Sequence, residues 1–449
     1  MCPNGHSGAG VVPSTHDRPA SDKKRGRGGV KHRKKWSQNI TVLQANVGKG
    51  ERSTEAALHT ADLLGADVVL LQEPRVWRSE ERGEWVPRSW LNYEAILPEG
   101  RKGVDSPRVI TYVRRNHPRL RFVTMQHALP ESTADLLVVD ALGVRGGRLR
   151  IVNVYNAPTG GNSLRQGDGI RALSTASLDA RQVPTVVAGD FNAFHTDWST
   201  EATSNKRGAS GIKLKSWAMA GAWQLGLEVG TVTRRGSAGE QDSAIDLVFK
   251  SKALTDSGWE ARSSARIDLA TGSDHYPVRT NWERFTAAIG DRQGELDASM
   301  RALLNARTET EAQESLDAAF EELQRLLTSC LEASTPRCKG SSAGCQFWDA
   351  ECDEKLDAMR RAELELAQAR AEGVGEGPTR NLRESSKADF EHQLTTSKRA
   401  FFDERINALS GNSIFAAMKW SSGGKRRDTS PPLIASRPPL AVNTNFARH

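Results

Sequence analysis

Short apolar runs alternate with polar loops from residue 37 to about 285. The runs "NITVLQANV" (39–47), "DVVLLQE" (67–73), "YEAILP" (93–98), "RVITYVRR" (108–115), "ADLLVVDAL" (134–142), "RLRIVNVYNAP" (148–158) and "VPTVVAGD" (183–190) read as strands. So do "TVTRR" (231–235), "AIDLVFKS" (244–251) and "HYPVRTNWE" (275–283). One helix is predicted over "STEAALHTADLLGA" (53–66), with Ser53 as N-cap and Ala57, Leu58, Ala61 and Leu64 at helical spacing. Few helices separate many strands, which favours two packed sheets with helices outside over one parallel sheet. After about residue 286 Ala, Glu, Leu, Arg and Gln dominate. Three amphipathic helices are predicted there, over 308–333, 347–373 (stopped by Gly373) and 385–409, before a Pro-rich stretch at 423–440. The predicted organisation is a disordered basic arm (1–36), an α/β domain (37–285) and a helical region ending in a disordered Pro-rich tail (286–449).

Charge sharpens this division. The chain of 449 residues carries a net +7, and residues 1–39, with nine Lys/Arg against two Asp/Glu, hold all of that excess. The arm "DKKRGRGGVKHRKK" (22–35) is Gly-rich and apolar-poor, as disordered segments are. It suits sequence-independent binding of nucleic acid phosphates, or nuclear import. No run approaches the ~20 apolar residues of a membrane span, and no signal-peptide core opens the chain. The five cysteines (Cys2, Cys330, Cys338, Cys345, Cys352) form no CxxC pair, so free thiols in an intracellular protein are expected rather than zinc or a disulfide framework.

The chemistry sits where the strands end. In "VVAGDFNAFHTDW" (186–198) an apolar run halts at Gly189, and Asp190, Asn192 and His195 follow at once. Other runs finish alike: at Gln44 and Asn46, at Glu73, at Tyr155 and Asn156, with Asp246 beside "IDLVF", and with Asp274 and His275 in "GSDHYP". A core strand gains nothing from a carboxylate at its end, because an unpaired buried charge is costly. One such case is a turn or a cap; six point to a shared site. Carboxylate and amide oxygens suit Mg²⁺, and His275 suits proton handling or a phosphate contact. Together they fit metal-assisted hydrolysis of a phosphate ester.

The ordered motifs "QANVG", "LLQE", "VYNAP", "GDFNA", "IDLVF" and "SDHYPV" resemble the endonuclease/exonuclease/phosphatase superfamily over about residues 39–282. "GDFNAFHTDW", "TVTRRGSAGEQDSAIDLVF" and the later "FWDAECDEKLDAMRRA" and "SPPL" narrow the resemblance to the endonuclease and downstream linker of non-LTR (LINE-type) retrotransposons. No YxDD-type polymerase motif is present, so a truncated element product is expected. The resemblance implies a deoxyribonuclease-like four-layer α/β sandwich with two mixed β-sheets. It implies catalytic roles for Asp190, Asn192, His275, Tyr155 and Asp246, and metal ligation by Asn46, Glu73 and Asp274. Thr233, Arg234 and His195 are expected to bind substrate. The cofactor implied is Mg²⁺, with Mn²⁺ as alternative. The partners implied are DNA and, through the arm, element RNA, in the nucleus, with no membrane. The activity implied is nicking of DNA to leave a 3′-hydroxyl. The alternatives are an inactive nucleic-acid-binding remnant and a phosphodiesterase or phosphatase of the same superfamily.

Overall fold

The structure, a computed structural model, describes residues 40–283 except 82, 99–105, 126–127, 130–132, 144–146, 159–167, 204–207 and 258. It also describes isolated positions between 301 and 321, and residues 346–407. The basic arm, most of the helix expected over 308–333 and the Pro-rich tail lie outside the described residues.

Two six-stranded sheets form the centre. One contains β1 (Ile40–Asn46), β2 (Val68–Gln72), β5 (Tyr93–Ile96), β6 (Val109–Arg114), β13 (Glu260–Ala265) and β14 (Val278–Glu283), in the order β13-β14-β1-β2-β6-β5. The other contains β7 (Leu120–Thr124), β8 (Leu136–Gly143), β9 (Arg148–Tyr155), β10 (Thr185–Asp190), β11 (Gln224–Leu225) and β12 (Asp246–Lys250), in the order β11-β12-β10-β9-β8-β7. A short hairpin, β3 (Val76–Arg78) with β4 (Trp85–Pro87), stands apart. Both sheets are mixed: β1 runs parallel to β2 and β9 to β10, and the other pairings are antiparallel.

The side-chain period of two sorts each strand into two faces. On β10, Val186 and Ala188 enter a core shared with Ile40, Val42, Val68 and Leu70 of the opposite sheet. Val187, between them, faces outward onto Ile170 and Leu173 of α2 (Asp168–Thr175) and Leu214 of α3 (Ala209–Ala220). On the far side, Leu43, Ala45, Val69 and Leu71 pack against Ala57, Leu58 and Ala61 of α1 (Glu51–Leu63). Being covered on both faces explains why these strands read as continuous apolar runs. The result is the expected four-layer α/β sandwich.

Local details differ from the sequence reading. Helix α1 begins three residues earlier, with Gly50 in the N-cap position, so Ser53 lies inside it. "TVTRR" is not a strand; it is a loop touching its neighbours through isolated bridges from Arg234 to Ser243 and to His275. A fourth short helix, α4 (Lys252–Asp256), is capped by Ser251, whose hydroxyl accepts the Leu254 amide.

The C-terminal helices do not stand apart. Helix α5 (Ala350–Ala371) is capped by Asp349, whose carboxylate accepts the Cys352 amide, and it ends before Gly373 at φ 67°. Helix α6 (Gly377–Asn407) starts eight residues before the predicted run. Their inner faces, Cys352, Leu356, Met359, Phe390 and Leu394, close over Ala56 of α1. Trp348 stacks on His59 at 4.0 Å between ring centroids, and buried Glu55 pairs with Arg88 and Lys398. Through these contacts the two described C-terminal helices pack on the α1 side of the sandwich.

Gly189 shows how tightly the sheet is built. A Cβ there would lie 1.9 Å from the Val154 carbonyl oxygen on β9. Gly189→Ala is expected to cost about 3 kcal/mol or more, because the clash is with backbone that cannot rotate away. Urea unfolding of the two proteins checks this.

Candidate active site

The face between the sheets changes character along the strands. Apolar residues fill one end; polar ones replace them toward the C-terminal ends of β1, β2, β9 and β10. Thus Ile40 and Val42 give way to Gln44 and Asn46, Leu149 and Ile151 to Asn153 and Tyr155, and Val186 and Ala188 to Asp190. Parallel pairing sets Asn46 beside Gln72, with Glu73 next along the chain, and Asp190 beside Tyr155. Antiparallel pairing sets Asp246, at the start of β12, directly opposite Asp190. Below them Gln72 Nε2 donates to Asn153 Oδ1 at 2.7 Å, a buried polar link between the sheets.

Backbone strain gathers at the same edge. Lys49, Glu73 and Asn192 all take positive φ, at 60°, 46° and 42°. Such conformations disfavour L-residues and persist where surrounding structure over-determines them.

Asp190, 1% exposed, is the hub. Its Oδ1 accepts the Asn192 amide at 3.0 Å; its Oδ2 accepts Asn46 Nδ2 at 2.8 Å and Asn192 Nδ2 at 3.0 Å. Burial and the charge of Asp246 push its carboxyl up to about 7, against the pull of His275 and these N–H donors. His275 Nδ1 shares a 2.8 Å hydrogen bond with Asp246 Oδ2. Burial works against a charged imidazole, but Asp246, Asp190 and Asp274 outweigh it and raise His275 to about 9. The Tyr155 hydroxyl donates to Glu73 Oε1 at 3.0 Å; burial and the neighbouring Glu73 and Asp190 raise it. Lys49 Nζ lies 3.5 Å from the same Glu73 oxygen.

The remaining expected residues fall differently. Asp274, expected beside the metal, is ion-paired with Arg234 Nε at 2.8 Å, which also ties up the guanidinium expected on substrate. Burial would raise the Asp274 carboxyl, but His275 and Arg234 hold it below its ordinary value. Thr233, expected on the substrate backbone, is fully buried, and its hydroxyl accepts the amides of Ile245 and Asp246 at 3.0 and 2.9 Å. It anchors the start of β12. His195 is likewise buried, packed on Trp198 with Nδ1 accepting the Asp197 amide at 3.0 Å. A residue overlooked in the sequence is Arg108, bound to Asp135, with its guanidinium 5.3 Å from the centre of the Tyr155 ring. Its signal was its place just before β6, which runs antiparallel to β2 and so begins at the site edge.

Two donor sets fit a cation differently. Ligand atoms of Asp190, Asp246 and His275 lie within 4.8 Å of one another, a spacing that could hold a metal ion. Asp246 Oδ1 there is buried without a hydrogen-bond partner. A histidine ligates only when neutral, so a cation there would have to displace the imidazole proton that Asp246 favours. Asn46 and Glu73, at adjacent strand ends, supply amide and carboxylate oxygens, the donors that Mg²⁺ prefers.

The sequence matches the Endonuclease/Exonuclease/phosphatase family over residues 43–275, more than half of the chain. The chain belongs to this family. Its members are hydrolases of phosphoester bonds, and the matched span contains Asn46, Glu73, Tyr155, Asp190, Asn192, Asp246, Asp274 and His275. Solved structures similar to this family member include the endonuclease domain of TRAS1, a telomere-specific non-LTR retrotransposon. It is 19% identical, with a TM-score of 0.42, over 54% of this chain and 97% of that one. The AP endonuclease of Leishmania major is 15% identical, with a TM-score of 0.43, over 55% and 88%. The 3′-5′ exonuclease of Neisseria meningitidis is 18% identical, with a TM-score of 0.37, over 54% and 98%. No curated protein matches the chain. Among the described residues, no helix is long and apolar enough to cross a membrane.

The charges make stability depend on pH. A histidine raised in the folded state stabilises fully below its unfolded value near 6.5, and that contribution is lost as pH rises through about 9. Asp190, also raised, acts with the same sign on the way to about 7. The melting temperature of the metal-free protein is therefore expected to fall between pH 6.5 and 9.5, and to fall less in Asp246→Asn, which removes the imidazole's partner.

Proposed function

We propose that this protein is a Mg²⁺-dependent DNA endonuclease of the non-LTR retrotransposon type, which nicks one strand and leaves a 3′-hydroxyl. The observation that carries the reading is the convergence of Asn46, Glu73, Tyr155, Asp190, Asn192 and the Asp246–His275 pair at one edge of the sandwich. This set is suited to holding a cation, activating water and steadying a phosphate.

Asn46 and Glu73 would hold the cation, which when bound neutralises charge on the phosphate. Asp190, oriented by Asn46 and Asn192, accepts a proton from the attacking water. The water oxygen bonds to phosphorus, the bond from phosphorus to the 3′-oxygen breaks, and that oxygen takes a proton from solvent water to leave as a hydroxyl. Protonated His275, steadied by Asp246, donates a hydrogen bond to a phosphoryl oxygen as negative charge builds. Tyr155 holds the phosphate or assists the leaving oxygen.

Retrotransposon origin is supported by the sequence context "FNAFHTDW" and by the basic arm, which suits DNA or element RNA and entry to the nucleus. Product analysis tests the reading. Plasmid nicked by the protein should prime a DNA polymerase directly, without end treatment. Release of inorganic phosphate from small phosphomonoesters, with plasmid left intact, would instead assign a phosphatase.

A further inference from the structure

The C-terminal hairpin of α5 and α6 reaches the catalytic loops, and one buried carboxylate makes the connection. Glu363 on α5 is fully buried. Its Oε2 accepts Arg383 Nε of α6 at 2.8 Å. Its Oε1 accepts the Tyr276 hydroxyl at 3.2 Å and lies 3.1 Å from Arg235 Nε. Tyr276 is the neighbour of His275; Arg235 is the neighbour of Arg234, which holds Asp274. Arg383 also reaches the carbonyls of Gly272 and Ser273, at 3.4 and 3.5 Å, on the other side of His275. Further along α5, Arg370 binds the carbonyls of Gly236 and Glu240, each at 3.0 Å, and Asp242 at 3.0 Å. That fixes the Gly- and Ser-rich loop from which Arg234 and Arg235 emerge.

We propose that Glu363 is a positioning residue for the active site, and that the α5–α6 hairpin braces the loop carrying His275. The physical argument rests on cost. A carboxylate and two guanidinium groups withdrawn from water gain little net stability over a well-packed apolar contact. Apolar packing already docks the hairpin on α1 through Met359, Phe390 and Leu394. The ionic cluster adds direction instead. It fixes Tyr276, and Tyr276 N–H donates to the Thr233 carbonyl at 2.7 Å while Arg235 N–H donates to the Asp274 carbonyl at 2.8 Å. These bonds register the His275 segment against the loop leading to Asp246. Loss of the brace lets His275 drift from the phosphate, and displacement of about 1 Å is worth up to ~100-fold in rate.

The inference rests on the endonuclease reading for its kinetic arm, so the test carries a second readout. Full-length wild type, Glu363→Gln, Arg383→Lys and Asp353→Asn are compared well below their melting temperatures. Glu363→Gln sets an amide against the Arg383 and Tyr276 donors and removes the charge facing Arg235. Arg383→Lys keeps the charge but loses the planar fork, and it carries the test alone if Glu363→Gln does not fold. Asp353→Asn is the control: it weakens the bond to His59 on the α1 side of the same hairpin. Nicking kinetics and amide hydrogen exchange over residues 271–277 are measured for each. The proposal expects about 10- to 100-fold lower kcat with KM changed by less than about twofold, and faster exchange at Tyr276, in the first two variants only. Wild-type kcat and exchange in both, or equal losses in Asp353→Asn, would overturn it. If wild type does not nick DNA at all, the endonuclease reading fails and the exchange pattern alone decides whether the brace exists.

Discussion

Asp190→Ala is expected to lower the rate of DNA nicking by about 10³-fold while leaving the fold in place. Asp190 receives three N–H donors from Asn46 and Asn192, an environment built for an ionised carboxylate. Burial and Asp246 oppose ionisation and set the group near 7, where a carboxylate is a far better base than at its ordinary value. Alanine removes the base and leaves those donors without their acceptor. The accompanying loss of stability should be on the order of 1–3 kcal/mol. Circular dichroism and melting separate the two effects: a folded, inactive variant is the expected result. Asp190→Asn offers no rescue, because its NH₂ must face at least one of the existing donors.

His275→Gln should cost about 10²- to 10³-fold, the scale of losing one aligned donor to a developing oxyanion. The imidazole's value depends on its charge, which Asp246 maintains through the 2.8 Å bond to Nδ1. The pH profile of wild type should therefore be bell-shaped. Activity rises as Asp190 loses its proton through about 7, and falls as His275 loses its own through about 9. These two values belong to one interacting cluster, so the limbs shift together when either group is changed. In His275→Gln the alkaline limb should vanish while the acid limb persists. An unchanged alkaline limb would show that another group carries that proton.

The strands and the polar groups at their ends were legible in the sequence because each rests on local information. A run such as "TVVAGD" shows its burial by composition and its exit by Gly189 and Asp190. What could not be read locally was pairing. That Asp246 faces Asp190 follows from the antiparallel register of β10 and β12, which the 55 intervening positions do not reveal. Thr233 and His195 were polar residues near the motifs, and polarity alone does not distinguish a ligand contact from a hydroxyl or imidazole spent on backbone amides. The reach of α5 and α6 was hidden for a further reason. Glu363 lies in a helix dense with charged residues, where a carboxylate reads as solvent-facing; only tertiary packing buries it against Arg235 and Arg383. The superfamily resemblance ends near residue 282, and the linker-like "FWDAECDEKLDAMRRA" (347–362) says nothing of tertiary contacts.

The most direct test is nicking of supercoiled plasmid by the full chain, in Mg²⁺ and in EDTA, beside Asp190→Ala. The account predicts relaxed circles from wild type in Mg²⁺ alone, and none from the variant. Relaxation that persists in EDTA, or that survives the loss of Asp190 in a folded protein, would contradict it.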